Sequence, residues 1–216
     1  EASFHNSVVN NNVATVSGGG IRVQTDRDIT ISNTLFSGNQ SVSGGAMELF
    51  YSSGIVLDNV TISGNIASEQ AGAILCSESE NISISNTVIH NNGSQSISFH
   101  PLTVQNTLSF AYSNIQGGQD SIGVNDNGTI TWGSGNIDVD PMFVDTTNGN
   151  YHLLATSQLI NAGHPDSTDS DGTIADMGAY PYLNSYSGPT WYITEGGNDT
   201  TATGASDDPF RSIQAG

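Results

Sequence analysis

The sequence predicts an all-β fold, a parallel β-helix (solenoid) with rungs of about 27 residues. The first observation is a set of asparagines separated by 27, 26 and 27 residues: Asn6, Asn33, Asn59 and Asn86. The second is that each of these is followed six residues later by another asparagine: Asn12, Asn39, Asn65 and Asn92. An ordinary β-sandwich with turn-rich strands explains neither the spacing nor the pairing.

Short strands account for the residues between the asparagines. In successive units an aligned glycine precedes two apolar residues that flank one other residue: Ile21 and Val23, Met47 and Leu49, Ile74 and Cys76. A second pair with the same period of two follows later in each unit, as in Ile29 and Ile31. This period is typical of β-strands. We therefore expect three short strands in each unit, no helix, and Cys76 in the core.

Stacking explains how such thin units become stable. A unit of three short strands cannot bury its own inner face, but units stacked about 4.8 Å apart pair every backbone group with the rung above and below. Asparagine suits the turns because it tolerates left-handed backbone, and its amide can bond to the amide one rung away.

The charge balance limits the classes of molecule that the chain can bind. The chain carries 21 acidic residues, three arginines and no lysine, which gives a formal net charge of −18 at pH 7. Binding to polyanions depends on lysine and arginine contacts to phosphate, so nucleic acid is excluded and divalent cations are favoured. The single cysteine, Cys76, forbids an internal disulfide. No apolar run is long enough to cross a membrane, so no membrane insertion is expected.

Two phrases in the repeats resemble a known family. GNQSVSGGAM at residues 38–47 and GNIASEQAGAI at residues 64–74 are similar to the right-handed parallel β-helix repeats of bacterial surface and secreted proteins, the pectin-lyase-like superfamily. The resemblance covers residues 1–115 and implies a right-handed stack in an extracellular or cell-surface protein. It does not imply one function, because lyases, hydrolases, adhesins and fibres share this fold.

The repeat loosens after residue 115, and four regions are expected. Residues 1–115 form regular rungs, and residues 116–183 form irregular rungs and a closing module. The closing module resembles the one at the C-terminal end of β-helix domains in large secreted bacterial proteins, through the phrase DSTDSDGTIADMGAY at 166–180. Residues 184–190 are rich in loop formers and predict a linker. Residues 191–216 resemble the opening, capping segment of a following or neighbouring β-helix.

A calcium site is predicted at four aspartates of the closing module: Asp166, Asp169, Asp171 and Asp176. Ca²⁺ takes six to eight oxygen ligands, which carboxylates and turn carbonyls could supply. The spacing is not that of an EF-hand. The alternative is an acidic surface turn whose aspartates cap nearby backbone amides.

A catalytic centre is not predicted. Arg22 and Glu48 occupy equivalent outward positions on successive rungs and are expected to form a solvated pair, and the next rung offers Leu75. The resemblance implies that hydrolases of this fold need neighbouring carboxylates as acid and base, which the repeats do not align. His90 shares the column of Ser63 and is predicted to be a turn residue facing water.

These observations favour a non-enzymatic extracellular module with a structural or adhesive role, which associates with itself end to end in a fibre or a tandem array. The expected partner is therefore a second copy or a neighbouring repeat. The alternative is a carbohydrate-binding or polysaccharide-cleaving protein with a polysaccharide partner.

Overall fold

A computed structural model of the 216-residue chain describes residues 2–93, 95–183, 191–203 and 205–212. The chain divides into two compact units, Glu1–Leu183 and Asn184–Gly216. The predicted linker, residues 184–190, lies outside the described residues, as do the last four residues of the predicted capping segment.

The first unit is a stack of parallel strands, and its three main sheets are called here sheets I, II and III. Sheet I has the strand order Ala2–His5, Ile29–Ser32, Val56–Asp58, Ile82–Ser85, Asn106–Ala111 and Gly128–Trp132. Sheet II has the order Val8–Asn10, Leu35–Ser37, Thr61–Ser63, Val88–His90 and Asn114–Ile115. Sheet III has the order Ile21–Gln24, Met47–Phe50, Ile74–Ser77 and Ile97–Phe99. Neighbours in each order are separated by one turn of the chain around the axis.

The strand register places like residues over like residues. Val23 pairs with Leu49 and Leu49 with Cys76, so the predicted core column is confirmed. Cys76 is fully buried, and inward residues of all three sheets form one continuous core. Stacking therefore buries the apolar side chains that a single rung would leave exposed.

The prediction of three strands per rung was wrong in one respect. A fourth, two-stranded parallel sheet, called here sheet IV, contains Gln40–Ser43 and Ile66–Gln70. None of its residues is buried, and Ile66 is 55% exposed. Because these strands form an outer bend and contribute little to the core, their sequences lack the apolar alternation by which strands are identified.

The two asparagines of each unit have different roles. Those of the second set form a buried ladder, in which Asn39 Nδ2 donates to Asn65 Oδ1 and Asn65 Nδ2 donates to Asn92 Oδ1, each at 2.9 Å. Each Oδ1 also accepts the backbone N–H of the preceding ladder residue, as in Asn39 N to Asn65 Oδ1 at 3.0 Å. The first set adopts left-handed backbone, with φ between +46° and +51°: Asn6, Asn33, Asn59 and Asn86. The expected amide ladder and left-handed turns are both present.

Residues 136–183, called here the closing module, pair with sheet II at Ile137 and then fold back along the side of the stack. They contain an antiparallel hairpin, Phe143–Asp145 with Asn150–Leu153, joined by the 3₁₀ turn Thr146–Asn148. A second 3₁₀ turn, Gln119–Ser121, lies earlier in the irregular rungs. A small core of Val88, Leu153, Leu159 and Met177 joins the module to sheet II. The module therefore covers an outward face of the stack.

The second unit is a small set of turns. Ile193 forms a parallel bridge with Phe210, whose ring lies 5.6 Å from that of Trp191. Asp199 Oδ1 accepts the backbone N–H groups of Arg211 and Ser212, at 2.6 and 2.8 Å. Across both described units, no helix is long and apolar enough to span a membrane.

Candidate functional site

Asp176, the last aspartate of the predicted calcium cluster, is buried inside the closing module with 1% of its surface exposed. Its Oδ1 accepts the backbone N–H of Asn161 at 2.7 Å, and its Oδ2 accepts that of Tyr182 at 2.6 Å. Burial raises the pKa of this carboxyl, and the two backbone hydrogen bonds oppose that rise. Asp176 therefore joins two separate segments of the module.

The other three aspartates lie in the loop that leads to Asp176. Asp169 Oδ2 accepts the N–H of Asp176 at 2.9 Å, and burial raises the pKa of Asp169. Asp171 Oδ1 accepts the N–H and the hydroxyl of Thr173, whereas Asp166 is exposed. Within the described ranges, no three carboxylate, imidazole or thiol groups are arranged to hold a metal ion. Calcium binding at this cluster stays a prediction.

The Arg22–Glu48 pair forms as predicted, but its surroundings differ from the expectation. Arg22 Nε lies 2.6 Å from Glu48 Oε2, which also accepts the Ser17 hydroxyl at 2.5 Å. Glu48 is buried, with 6% of its surface exposed, and the Arg22 guanidinium lies 4.9 Å from the centre of the Phe50 ring. Only the arginine side of the pair is solvated. The next residue of the column is the buried Leu75, which offers no further polar group. The pair is therefore surrounded as a structural contact would be.

A cleft of about 520 Å³ lies between the closing module and the C-terminal ends of the sheet II strands, and it is called here the axial cleft. One wall carries one side chain from each of three successive strands, in the register Asn10, Ser37 and Ser63. The opposite wall is the turn at residues 146–149 together with Tyr151. The strand register spaces the side chains of the first wall by about 4.8 Å along the axis.

A hollow of about 340 Å³ shares Ser63, Asn91 and Thr146 with the axial cleft and contains His90 and Asp140. His90 pairs with Ser63 in the predicted column, and it is partly buried in the hollow. Burial lowers the pKa of His90, and the charge of Asp140 acts in the opposite direction. No sequence pattern connects position 90 with position 140, since their proximity depends on how the closing module folds back.

A third cleft, of about 510 Å³, lies where the closing module meets the turns between sheets I and II. Two carboxylates line it, Asp58 from the rungs and Asp169 from the closing module. Asp58 Oδ1 accepts the Ser85 hydroxyl at 2.7 Å and the Asn86 amide at 2.9 Å. The sequence analysis did not predict that these two carboxylates share a cleft, because Asp58 lies in the rungs and Asp169 in the closing module.

Comparison with known proteins gives one family. A family model described as "Right handed beta helix region" matches residues 2–142, more than half of the chain. No curated protein and no solved structure matches the chain. The matched segment contains the rungs of all four sheets. The chain therefore belongs to the right-handed β-helix family.

Proposed function

We propose that this chain is a non-enzymatic structural and adhesive module of an extracellular protein, which associates with itself end to end. The observation that carries the proposal is the register of the stack, in which successive rungs pair in parallel through three sheets. Like residues lie over like residues, as in the column of Val23, Leu49 and Cys76, so each rung offers the next the same pairing surface.

Contact with a further β-helix would repeat this pairing. A strand with unpaired N–H and C=O groups is a template for another strand, and head-to-tail contacts between stacks generate filaments or arrays. The net charge of −18 opposes contact between stacks in every direction, because like charges repel. Contact at the ends adds strand pairing, which offsets part of that repulsion.

Sedimentation velocity tests the proposal across about 1 to 100 μM, a range that covers weak and moderate affinities. Val13→Lys places a charge on the first rung, where Val13 is 74% exposed. Ile66→Lys is the matched control, because Ile66 is 55% exposed on sheet IV in a later rung. We expect the wild type and the control to form oligomers that grow with concentration, and Val13→Lys to sediment as a monomer. A monomeric wild type throughout the range would overturn self-association.

A specific observation favours a second candidate, polysaccharide cleavage. Asp58 and Asp169 line one cleft, and glycoside hydrolysis uses two carboxylates of different protonation state. Burial raises the pKa of Asp169, as a general acid requires. A reducing-sugar assay with the wild type and Asp58→Asn separates the candidates. The structural proposal predicts no release by either protein, whereas release by the wild type alone would establish the hydrolase.

We further propose that Ca²⁺ stiffens the closing module at Asp166, Asp169, Asp171 and Asp176. Support comes from the partly buried carboxylate of Asp169, whose charge a bound cation would offset. Titration calorimetry with CaCl₂ should show binding by the wild type and by the control Asp26→Asn, which lies in the rungs. Asp169→Asn should abolish the heat. Absence of heat with the wild type would refute the calcium proposal.

A further inference from the structure

We infer that Asn148 is a site of spontaneous deamidation, and that its conversion to a carboxylate opens the turn that forms one wall of the axial cleft. In this reaction the backbone nitrogen of the next residue loses its proton and bonds to the side-chain carbonyl carbon. The bond from that carbon to Nδ2 breaks, and Nδ2 leaves with the proton as ammonia. Water then opens the cyclic imide to aspartate or to isoaspartate. The inference does not depend on the proposed function.

The sequence offers this chemistry at three places. An asparagine is followed by glycine, which hinders the attack least because it has no Cβ, at Asn92, Asn127 and Asn148. Asn92 is fully buried in the asparagine ladder, and its Nδ2 donates to Ile62 O at 2.7 Å. Asn127 is 7% exposed, and its Nδ2 donates to His100 O at 2.7 Å. At these two positions the side chain is released only when the rungs open.

Asn148 differs from the other two because it is exposed, at the end of the 3₁₀ turn Thr146–Asn148. Its Nδ2 donates to Asp145 Oδ2 at 2.6 Å, on the surface of the closing module. The attacking nitrogen belongs to Gly149, which has left-handed backbone at φ +77° and donates to Thr146 O at 3.2 Å. A Cβ on Gly149 would meet no described atom within 4 Å, so the approach is open. A surface turn held by a few hydrogen bonds opens without global unfolding, so this asparagine reacts in the folded protein.

Deamidation replaces the contact that holds the turn by a repulsive one. The Asn148 amide donates to the Asp145 carboxylate, whereas a carboxylate in its place would accept only and would carry the same charge. The hydrogen bonds from Asn148 lower the pKa of Asp145, so this carboxylate is ionised and repels a second one beside it. The turn and Tyr151 form one wall of the axial cleft, and Leu153 of the same hairpin belongs to the small core. The modification should therefore loosen this hairpin.

Peptide mapping by mass spectrometry of the full chain tests the chemistry. One sample is kept folded in mildly alkaline buffer, which favours loss of the amide proton, and a second sample is kept unfolded in urea. We expect Asn148 to convert at least about tenfold faster than Asn92 and Asn127 in the folded protein, and all three to convert at similar rates in urea. Asn148→Gln is the control, because its longer side chain keeps the amide but closes the ring slowly. A folded protein in which Asn148 converts no faster than Asn92 and Asn127 would overturn the inference.

Hydrogen exchange tests the effect on the turn. Asn148→Asp reproduces one product of the reaction, and Gln24→Glu adds the same charge at an exposed position of sheet III. We expect exchange in the strand Asn150–Leu153 to accelerate at least about threefold in Asn148→Asp, and to stay unchanged in Gln24→Glu. The asparagine ladder should stay protected in both variants. Unchanged exchange of the hairpin in Asn148→Asp would contradict the opening of the turn, whatever the rate of deamidation.

Discussion

In the regular rungs, a buried asparagine side chain forms a hydrogen bond with the asparagine one rung away. In the closing module, a buried aspartate instead accepts two backbone N–H groups, and this contact is not repeated along the axis. Asn65 accepts from Asn39 and donates to Asn92, so the same contact repeats along the axis. Asp176 joins Asn161 to Tyr182, and no other rung offers an equivalent contact within the described residues. A repeated contact can be identified from a sequence period, but a unique one cannot.

The difference also predicts how the two regions unfold. An unpaired polar group in the interior costs about 1–3 kcal/mol, so removing one member of the ladder affects groups on two rungs at once. The closing module packs on sheet II through a small core and a few hydrogen bonds, such as Gly178 N to Asn86 O at 2.7 Å. We therefore expect the module to open without the rungs, while the rungs unfold together.

The largest expected effect is that of Asn65→Ala. This change leaves Phe36 O and Asn39 N without their partners in a buried site, so the free energy of unfolding should fall by about 3–5 kcal/mol. Asn12→Ala, at the exposed end of the same ladder, should cost about 1 kcal/mol. Urea unfolding followed by circular dichroism measures both. Equal losses in the free energy of unfolding would show that burial does not determine how much each asparagine of the ladder stabilises the fold.

A smaller and local effect is expected from Asp176→Asn. An asparagine can accept only one of the two N–H groups, and its own amide would face the other, so the closing module should lose about 2–3 kcal/mol. Hydrogen exchange should then accelerate at Asn161 and Tyr182 but not in the asparagine ladder. The exposed Asp166→Asn is the control and should leave both regions unchanged. Faster exchange in the ladder would contradict the independence of the two regions.

Acidification should stabilise the closing module through Asp169. Burial raises the pKa of its carboxyl above the ordinary value of 3.8, so the folded module binds this proton more tightly than the unfolded chain. This stabilisation is complete below pH 3.8 and is lost as the pH rises through the raised pKa. Asp169→Asn should remove this part of the pH dependence of hydrogen exchange, while Asp166→Asn should retain it. If hydrogen exchange depended on pH in the same way in both variants, the stabilisation would come from other groups.

The smallest structural effect is expected from Cys76→Val, which replaces one small core side chain by another and should cost less than about 1.5 kcal/mol. In the wild type, burial raises the pKa of the Cys76 thiol to about 12. A thiol reagent at neutral pH should therefore react only when the rungs open. Labelling that is faster than exchange in the asparagine ladder would show local opening around Cys76.

The rungs could be predicted because residues such as Leu49 and Cys76 share one column and one environment. Sheet IV was missed because an outer bend needs no apolar alternation, as the exposed Ile66 illustrates. The clefts were missed because they depend on the path of the closing module, which brings Asp140 beside His90 and Asp169 into the cleft of Asp58. No spacing in the sequence encodes contacts between residues that each occur once.

Electron microscopy of concentrated protein tests the central claim most directly, namely that stacks join end to end. The account predicts filaments for the wild type and for Ile66→Lys, with an axial repeat that is a multiple of about 4.8 Å, and separate particles for Val13→Lys. Separate particles of one chain at every concentration of the wild type would contradict the account. Polysaccharide cleavage in the cleft of Asp58 and Asp169 would then be the first function to test.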